Sequence, residues 1–419
     1  MTTETEIPRD DGLDNSLALL REGYVFIRNR CRQLQTDIFQ TRLLAQNVIC
    51  MTGPEAAELF YDEGRFVRRG AAPKRVQKTL FGQNGVQGLD GARHRHRKQM
   101  FMKLMSPERL QVIADLTKIQ WRETSKKWMQ KDRVVLFDEV QEMLCKIACE
   151  WAGVSIIDQE VKNRANDLGK MVDAFGAMGP RHWQGRSARV RSEQWAGQII
   201  EHVRKGEMDP PEDSAAYAMA WYREPNGRLL DTQIAAVELL NIVRPIVAIA
   251  TYITFGAHAL HEHPECMDKL QSGKGDVRPF VQEVRRYYPF TPFVGARVRR
   301  EFAWKQYPFK RGTLVLLDVY GTHHDPRLWD RPDEFRPDRF HHWAGGLFDF
   351  IPQGGGDRDH GHRCAGEWLT LKVMEASLDF LANQIMYHVP VQDLSISLSR
   401  IPALPASRLI ISNVRQRNN

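Results

Sequence analysis

One cysteine, Cys364, leaves a glycine-rich loop and stands directly before an amphipathic stretch, in FIPQGGGDRDHGHRCAGEWLTLKVMEASLDFL (350–381). A thiolate at a helix N-terminus is stabilised by the helix dipole and by free N–H groups, which lower its pKa and let it bind a metal. Gly354, Gly355, Gly356, Gly361 and Gly366 let the backbone pass close to a flat ligand where side chains would collide. His362 and Arg363 set cations beside the sulfur, ready for acidic groups of such a ligand. Iron suits this arrangement. Two plainer possibilities stand beside it. Cys364 can be a small buried hydrophobe next to a flexible turn, or His360, His362 and Cys364 can bind zinc, although their alternate spacing lacks the second ligand pair of a finger.

A second candidate is Arg244-Pro245, inside LDTQIAAVELLNIVRPIVAIATYITFGAHALHEH (230–263). A guanidinium in a buried helix costs several kcal/mol unless paired, and the proline removes a backbone hydrogen bond from the preceding turn. Arg244 is therefore either one end of an internal salt bridge, for instance with Glu238, or an anion receptor facing a cavity. A third candidate is Glu283 with Arg286, three apart on one helical face. Arg339 in YGTHHDPRLWDRPDEFRPDRF (320–340) can join that pair in a network.

These residues need long helices to hold them. The 230–263 segment predicts a helix roughly 45 to 50 Å long, apolar nearly all round and so buried along its middle. Residues 109–131 and 135–153 predict successive helices from apolar spacing at three and four. Thr52-Gly-Pro-Glu starts another, with Thr52 or Gly53 as cap and Pro54 in its first turn. Residues 24–27 and 42–51 predict a small sheet, and 313–319 and 396–411 predict strands, the last broken by Pro402 and Pro405. The paired histidines His261/His263, His323/His324 and His341/His342 are taken as surface or capping residues.

With 419 residues, 42% hydrophobic and 26% charged, the chain has an ordinary globular composition and nothing that reads as a linker. No uninterrupted apolar run reaches the roughly 20 residues of a membrane span, and MTTETEIPRDD lacks a signal peptide's basic and apolar regions. A cytoplasmic protein without a membrane anchor is the expectation. The six cysteines are scattered irregularly, which argues against a disulfide framework. The net charge of +7 comes from basic residues mixed with acids, without a nucleic-acid module, so surface and cofactor contacts are preferred to nucleic-acid binding.

Glu283-x-x-Arg286, the block HHDPRLWDRPDEFRPDRF (323–340) and the cysteine loop, in that order, resemble the cytochrome P-450 superfamily. The resemblance covers most of the chain. It implies a mainly α fold, a helical prism with a small β lobe within roughly residues 1–80, forming a single haem-thiolate domain over 1–419. It also implies haem b (iron protoporphyrin IX) buried between the long central helix and the cysteine loop, with Cys364 as the metal ligand. Most members place an acid followed by threonine in the central helix to deliver protons. Here residues 241–245 read Asn-Ile-Val-Arg-Pro, with neither. That departure, the long cysteine loop, TLFGQNGVQGLDGARHRHRK (79–98) and AFGAMGPRHW (174–183) are similar to the bacterial fatty-acid peroxygenases of the superfamily. Ala365 departs from the proline expected after the cysteine.

Membership in that branch implies hydroxylation of free medium- or long-chain fatty acids at the α or β carbon with hydrogen peroxide. The substrate carboxylate, held by Arg244, would act as acid and base, with Pro245 shaping the helix around it. No reductase partner, nucleic acid or membrane anchor is then needed. Gln87 matches a position that is glutamine in hydroxylating members and histidine in one that decarboxylates to terminal alkenes. His94 and Lys98, four apart, match the element that holds a haem propionate, with a solvated basic face as the alternative. Leu80, Phe81, Val172, Phe175, Phe290 and Phe293 match positions lining the acyl channel, with ordinary core packing as the alternative. Terminal-alkene formation and a monooxygenase fed by redox proteins remain the competing activities.

Overall fold

The computed structural model describes residues 5–417. Its axis is a helix over Thr232–Glu262, started by Asp231, whose Oδ1 accepts from the backbone N–H of Gln233 (2.9 Å) and Ile234 (3.3 Å). Nearly every side chain from Ala235 to Leu260 is buried. By length and a mean hydropathy of 1.8 the helix could cross a membrane, but 83% of that window is buried inside the protein, as a core helix requires. It packs against the helices Leu136–Ala152, Pro180–Lys205 and Glu367–Asn383. At the last of these the approach is close enough that a Cβ on Gly256 would lie 2.5 Å from Leu378 Cδ2.

A five-stranded sheet flanks the helices. Its order is Ile38–Leu43, Gln46–Met51, Leu314–Asp318, Phe293–Val298 and Phe66–Val67. The β lobe is therefore not confined to residues 1–80: the parallel pairing of Val48 with Leu314 through Met51 with Leu317 recruits strands from far along the chain. The expected 42–51 strand is in fact a hairpin turning at Leu44 and Ala45, which both take left-handed φ (50° and 59°). Residues 24–27 are helical, not a strand. Phe26, Ile27 and Cys31 pack against Phe39, Leu43 and Val48, so packing under the sheet overrides their β propensity. Of the expected 396–411 strand, only Ile410–Gln416 forms; upstream, Pro402 and Pro405 cannot donate to a ladder, and Ile396 makes a single bridge to Pro405. Gly53 caps the helix Pro54–Phe60, and the helices Pro107–Trp128 and Leu136–Ala152 form as expected.

His323 and His324 are buried, not superficial. His323 Nε2 accepts from the Ile351 backbone N–H (3.0 Å), and burial drives its pKa well below the usual value. His323 thus pins the start of the cysteine loop, while His324 Nδ1 pairs with the Tyr320 carbonyl (2.9 Å). His261, His341 and His342 are exposed.

Candidate active site

The cysteine loop delivers Cys364 just ahead of the helix Glu367–Asn383, whose N-cap is Gly366. The Cys364 backbone N–H donates to the Gln353 carbonyl (2.9 Å), folding the loop back on itself, and Gln353 Nε2 lies 3.8 Å from the sulfur. Gly354, with φ 97°, has the Arg363 Cα 3.2 Å from where a Cβ would stand, so the loop closes only with glycine there. The sequence predicts a lowered thiol pKa. In the structure burial outweighs the Lys98 charge and the Gly366 N–H, and the thiol is pushed up. A sulfur in this setting becomes a thiolate when a metal cation replaces its proton.

Arg285, which the motif reading passed over, holds this loop in place. Fully buried, it donates to Glu367 Oε1 (2.7 Å) and Gln353 Oε1 (2.8 Å), while Arg363 Nε donates to Glu367 Oε2 (2.6 Å). Arg363 is therefore largely committed to Glu367. The neighbouring network forms as expected. Arg286 donates to both oxygens of Glu283 (2.7 Å each) and to the carbonyls of His323, Pro332 and Glu334, and Arg339 Nε reaches Glu283 at 3.3 Å. Two adjacent arginines on one helix thus tie down different loops.

A basic cluster borders the cysteine loop. His94 and Lys98, on the helix Gly91–Lys103, are buried, whereas Arg93 and Arg95 are exposed, so the first pair is not part of a solvated face. His94 stacks on His362 with ring centroids 3.9 Å apart, His362 lies 3.7 Å from Asp90, and Lys98 Nζ donates to the Arg363 carbonyl. Burial pulls His94 down to about 3 and also lowers Lys98, His362 and Arg68. His94 Nδ1 and Arg68 Nη1 are buried without partners. The zinc alternative loses His360, which is exposed and bonds Asp357 (3.1 Å).

On the central helix, Arg244 is 5% exposed and its Nη1 has no hydrogen-bond partner among the described residues. Burial, with the Arg189 guanidinium adding repulsion, brings it down to about 9. The salt bridge to Glu238 does not form. Glu238 instead accepts from Arg97 Nη1 (3.0 Å) and Asn241 Nδ2 (2.9 Å), and Asn241 Nδ2 also donates to Gln87 Oε1 (3.2 Å). Pro245 is accessible where its neighbours are buried, and it leaves the Asn241 carbonyl without its helical donor. Leu80, Phe81, Val172, Phe175, Phe290 and Phe293 are all half-buried, and Phe290 and Phe293 pack against apolar clusters of the core.

A flat ligand carrying a central metal and two carboxylates answers these open valences. The metal would take the Cys364 sulfur. The carboxylates would meet the cluster of His94, Lys98, Arg68 and His362, in which His94 Nδ1 and Arg68 Nη1 are buried without partners among the described residues. Haem b has that chemistry, so the residues present fit it. Arg97, Arg189 and Arg68 are site residues that sequence reasoning missed, and Glu238 and Asn241 were noted there without being joined to them. Glu238 and Asn241 showed as polar side chains inside apolar periodicity, whereas the three arginines lie in basic stretches that give no such signal.

The cytochrome P-450 family model matches residues 277–378, the span of the Glu283–Arg286 network and the cysteine loop. Among curated proteins, psoralen synthase of Pastinaca sativa is 28% identical over 165 residues, 34% of each chain, so this match spans about a third of that relative. Solved structures match over nearly the whole length. Cytochrome P-450EX alpha (CYP152N1) with myristic acid is 45% identical, covers 99% of this chain and 100% of its own, and has a TM-score of 0.96. Cytochrome P-450SP alpha (CYP152B1) in complex with (R)-ibuprofen is 48% identical, covers 96% and 99%, and has a TM-score of 0.94. Thiolate-ligated haem b is the cofactor, and the chain belongs to the cytochrome P-450 family, within the CYP152 branch of these two structures.

Proposed function

We propose that the protein is a peroxygenase, residues 1–419 acting as one haem-thiolate domain, that hydroxylates free fatty acids at the α or β carbon with hydrogen peroxide. The observation that carries this is Arg244: a buried guanidinium with an open Nη1, on a helix that offers neither acid nor threonine beside it. Both solved relatives hold a carboxylic acid, myristic acid in one and ibuprofen in the other.

Haem bound at Cys364 supplies activation of the peroxide and removal of hydrogen from carbon. The polypeptide does the rest. Arg244 anchors the carboxylate by charge-assisted hydrogen bonds strengthened by burial. The carboxylate so held accepts a proton from the peroxide and returns it, supplying the acid–base group that residues 241–245 lack. Anchoring at the head brings only the first carbons to the reacting centre, which limits oxidation to Cα and Cβ. The half-buried Leu80, Phe81, Val172, Phe175, Phe290 and Phe293 take the chain and exclude water. Gln87 is tied to the central helix through Asn241 and favours hydroxylation over loss of the carboxyl group. Because peroxide arrives already reduced, no electron-transfer partner is required.

Mass spectrometry of products from holoenzyme, hydrogen peroxide and a fatty-acid mixture tests this. Hydroxy acids at Cα or Cβ without any reductant are expected. Terminal alkenes as the main product would replace hydroxylation by decarboxylation, and turnover only with a reductase would end the peroxygenase assignment.

A further inference from the structure

We propose that Glu238 sets the direction in which the Gln87 amide faces, and through it makes the site select an anionic head group. The inference rests on the reading of Arg244 and Gln87 as the head-group site. The polarity follows from hydrogen-bond capacity at each link. Arg97 is a guanidinium and can only donate. It is 1% exposed, held to the Asn84 carbonyl (3.2 Å) and paired with Glu224, and its Nη1 donates to Glu238 Oε1 (3.0 Å). Glu238 is fully buried and surrounded by donors: Arg97, the Val86 backbone N–H and Asn241. It accepts on both oxygens. Asn241 must therefore present its Nδ2 to Glu238 Oε2 (2.9 Å), and the second hydrogen of that nitrogen goes to Gln87 Oε1 (3.2 Å).

The Gln87 oxygen is used by Asn241, and the Gln87 Nε2 makes no hydrogen bond among the described residues. Gln87 is half-buried; on the reading of Arg244 and Gln87 as the head-group site, this nitrogen would offer two donors to the substrate head. The geometry is tight. A Cβ on Gly85 would lie 3.0 Å from Gln87 Oε1 and 3.1 Å from Asn241 Nδ2, so the backbone of the 85–87 turn is pressed onto this contact. An amide donor pair favours a carboxylate; the same amide reversed offers a carbonyl, which repels a carboxylate and accepts from an alcohol.

Glu238→Gln reverses the chain without removing any link. Arg97 compels the new amide to offer its oxygen to Nη1, so its nitrogen faces Asn241. Asn241 then turns its oxygen inward, and Gln87 must donate to it, leaving its own carbonyl toward the head group. Glu238 touches no substrate and acts as a positioning residue. Its effect must pass through Gln87, and a double-mutant cycle isolates it.

The test measures equilibrium binding of myristic acid and of 1-tetradecanol to the haem-loaded protein by calorimetry, in wild type, Glu238→Gln, Gln87→Leu and the double variant. Glu238→Gln should lower the acid-to-alcohol affinity ratio by about tenfold or more, and in the Gln87→Leu background it should change that ratio by less than about twofold. An unchanged ratio in Glu238→Gln, or the same change in both backgrounds, overturns the proposal. Should Glu238→Gln fail to fold, Asn241→Leu cuts the chain at its middle. It should weaken the preference for the acid only where Gln87 is present, and an equal change in both backgrounds overturns the proposal as well. Arg244→Ala run alongside separates the two ideas: if it leaves the acid preference intact, the head-group site itself is misplaced, whatever Glu238→Gln does.

Discussion

Replacing Arg244 with methionine distinguishes a side chain kept for a ligand from one kept for the fold. The guanidinium is 5% exposed, leaves Nη1 unpartnered and is held at about 9 against a usual 12.5. At 1.36 kcal/mol per pKa unit, the charged form is disfavoured by roughly 5 kcal/mol in the folded chain. Water entering a ligand-free cleft offsets part of this, leaving on the order of 2 kcal/mol borne by the unliganded protein. The folded-state pKa lies below the unfolded one, so this penalty is fully present below about pH 9 and fades as pH rises further. Methionine fills similar space without charge. At pH 7 the fatty-acid-free, haem-loaded variant should therefore melt higher than wild type, by roughly 2 to 4 °C for a chain of this size. With myristic acid at a hundred times its Kd, wild type should gain about 2.7 kcal/mol while the variant gains little, so that the order of melting reverses. Differential scanning calorimetry with and without the acid reads both effects. A variant that melts below wild type in the absence of ligand would show that Arg244 supports the fold, and the reasoning would fail.

Cys364→Ser should abolish the reduced carbon monoxide spectrum characteristic of thiolate-bound haem; an unchanged band would reject the ligand assignment. Glu283→Gln leaves Arg286 and Arg339 short of their carboxylate in a dry site and should cost about 3–5 kcal/mol, read from the urea midpoint. A midpoint equal to wild type would make the network dispensable. Asp318 is held at about 7 by burial against 3.8 when free, so the unfolded chain ionises first and the stability Asp318 contributes is lost as pH rises from about 4 to 7. Asp318→Asn keeps the cap on the Gly321 N–H and should be more stable than wild type at pH 8 by up to roughly 4 kcal/mol, with little difference at pH 4.5. Parallel pH curves would contradict this. Gln87→His should raise the alkene-to-hydroxy-acid ratio in gas chromatography, and an identical ratio would show that this position does not steer the outcome.

The helices and the Glu283–Arg286–Arg339 network were legible because apolar spacing and i,i+3 geometry are local properties. Cys364, Arg244 and the buried His94–Lys98 pair stood out through motif order. What escaped was set by tertiary packing. Residues 24–27 have strand-like composition, yet they form a helix because Phe26 and Ile27 must cover the sheet. The membership of that sheet follows from a parallel pairing between residues 48–51 and 314–317, which no local pattern announces. The Cys364 thiol was expected low from its place at a helix end, but burial dominates. Arg97, Glu238 and Asn241 were invisible as a unit because only folding brings position 97 to position 238.

The central claim is that the substrate's own carboxylate, held by Arg244, completes the catalytic machinery. Peroxide-driven turnover of a fatty acid, of its methyl ester, and of the ester with a short carboxylic acid added tests it most directly. Oxidation of the free acid, none of the ester alone, and recovery of ester oxidation with the short acid in wild type but not in Arg244→Ala is the predicted pattern. An ester oxidised as fast as the acid with no carboxylate present would contradict the account.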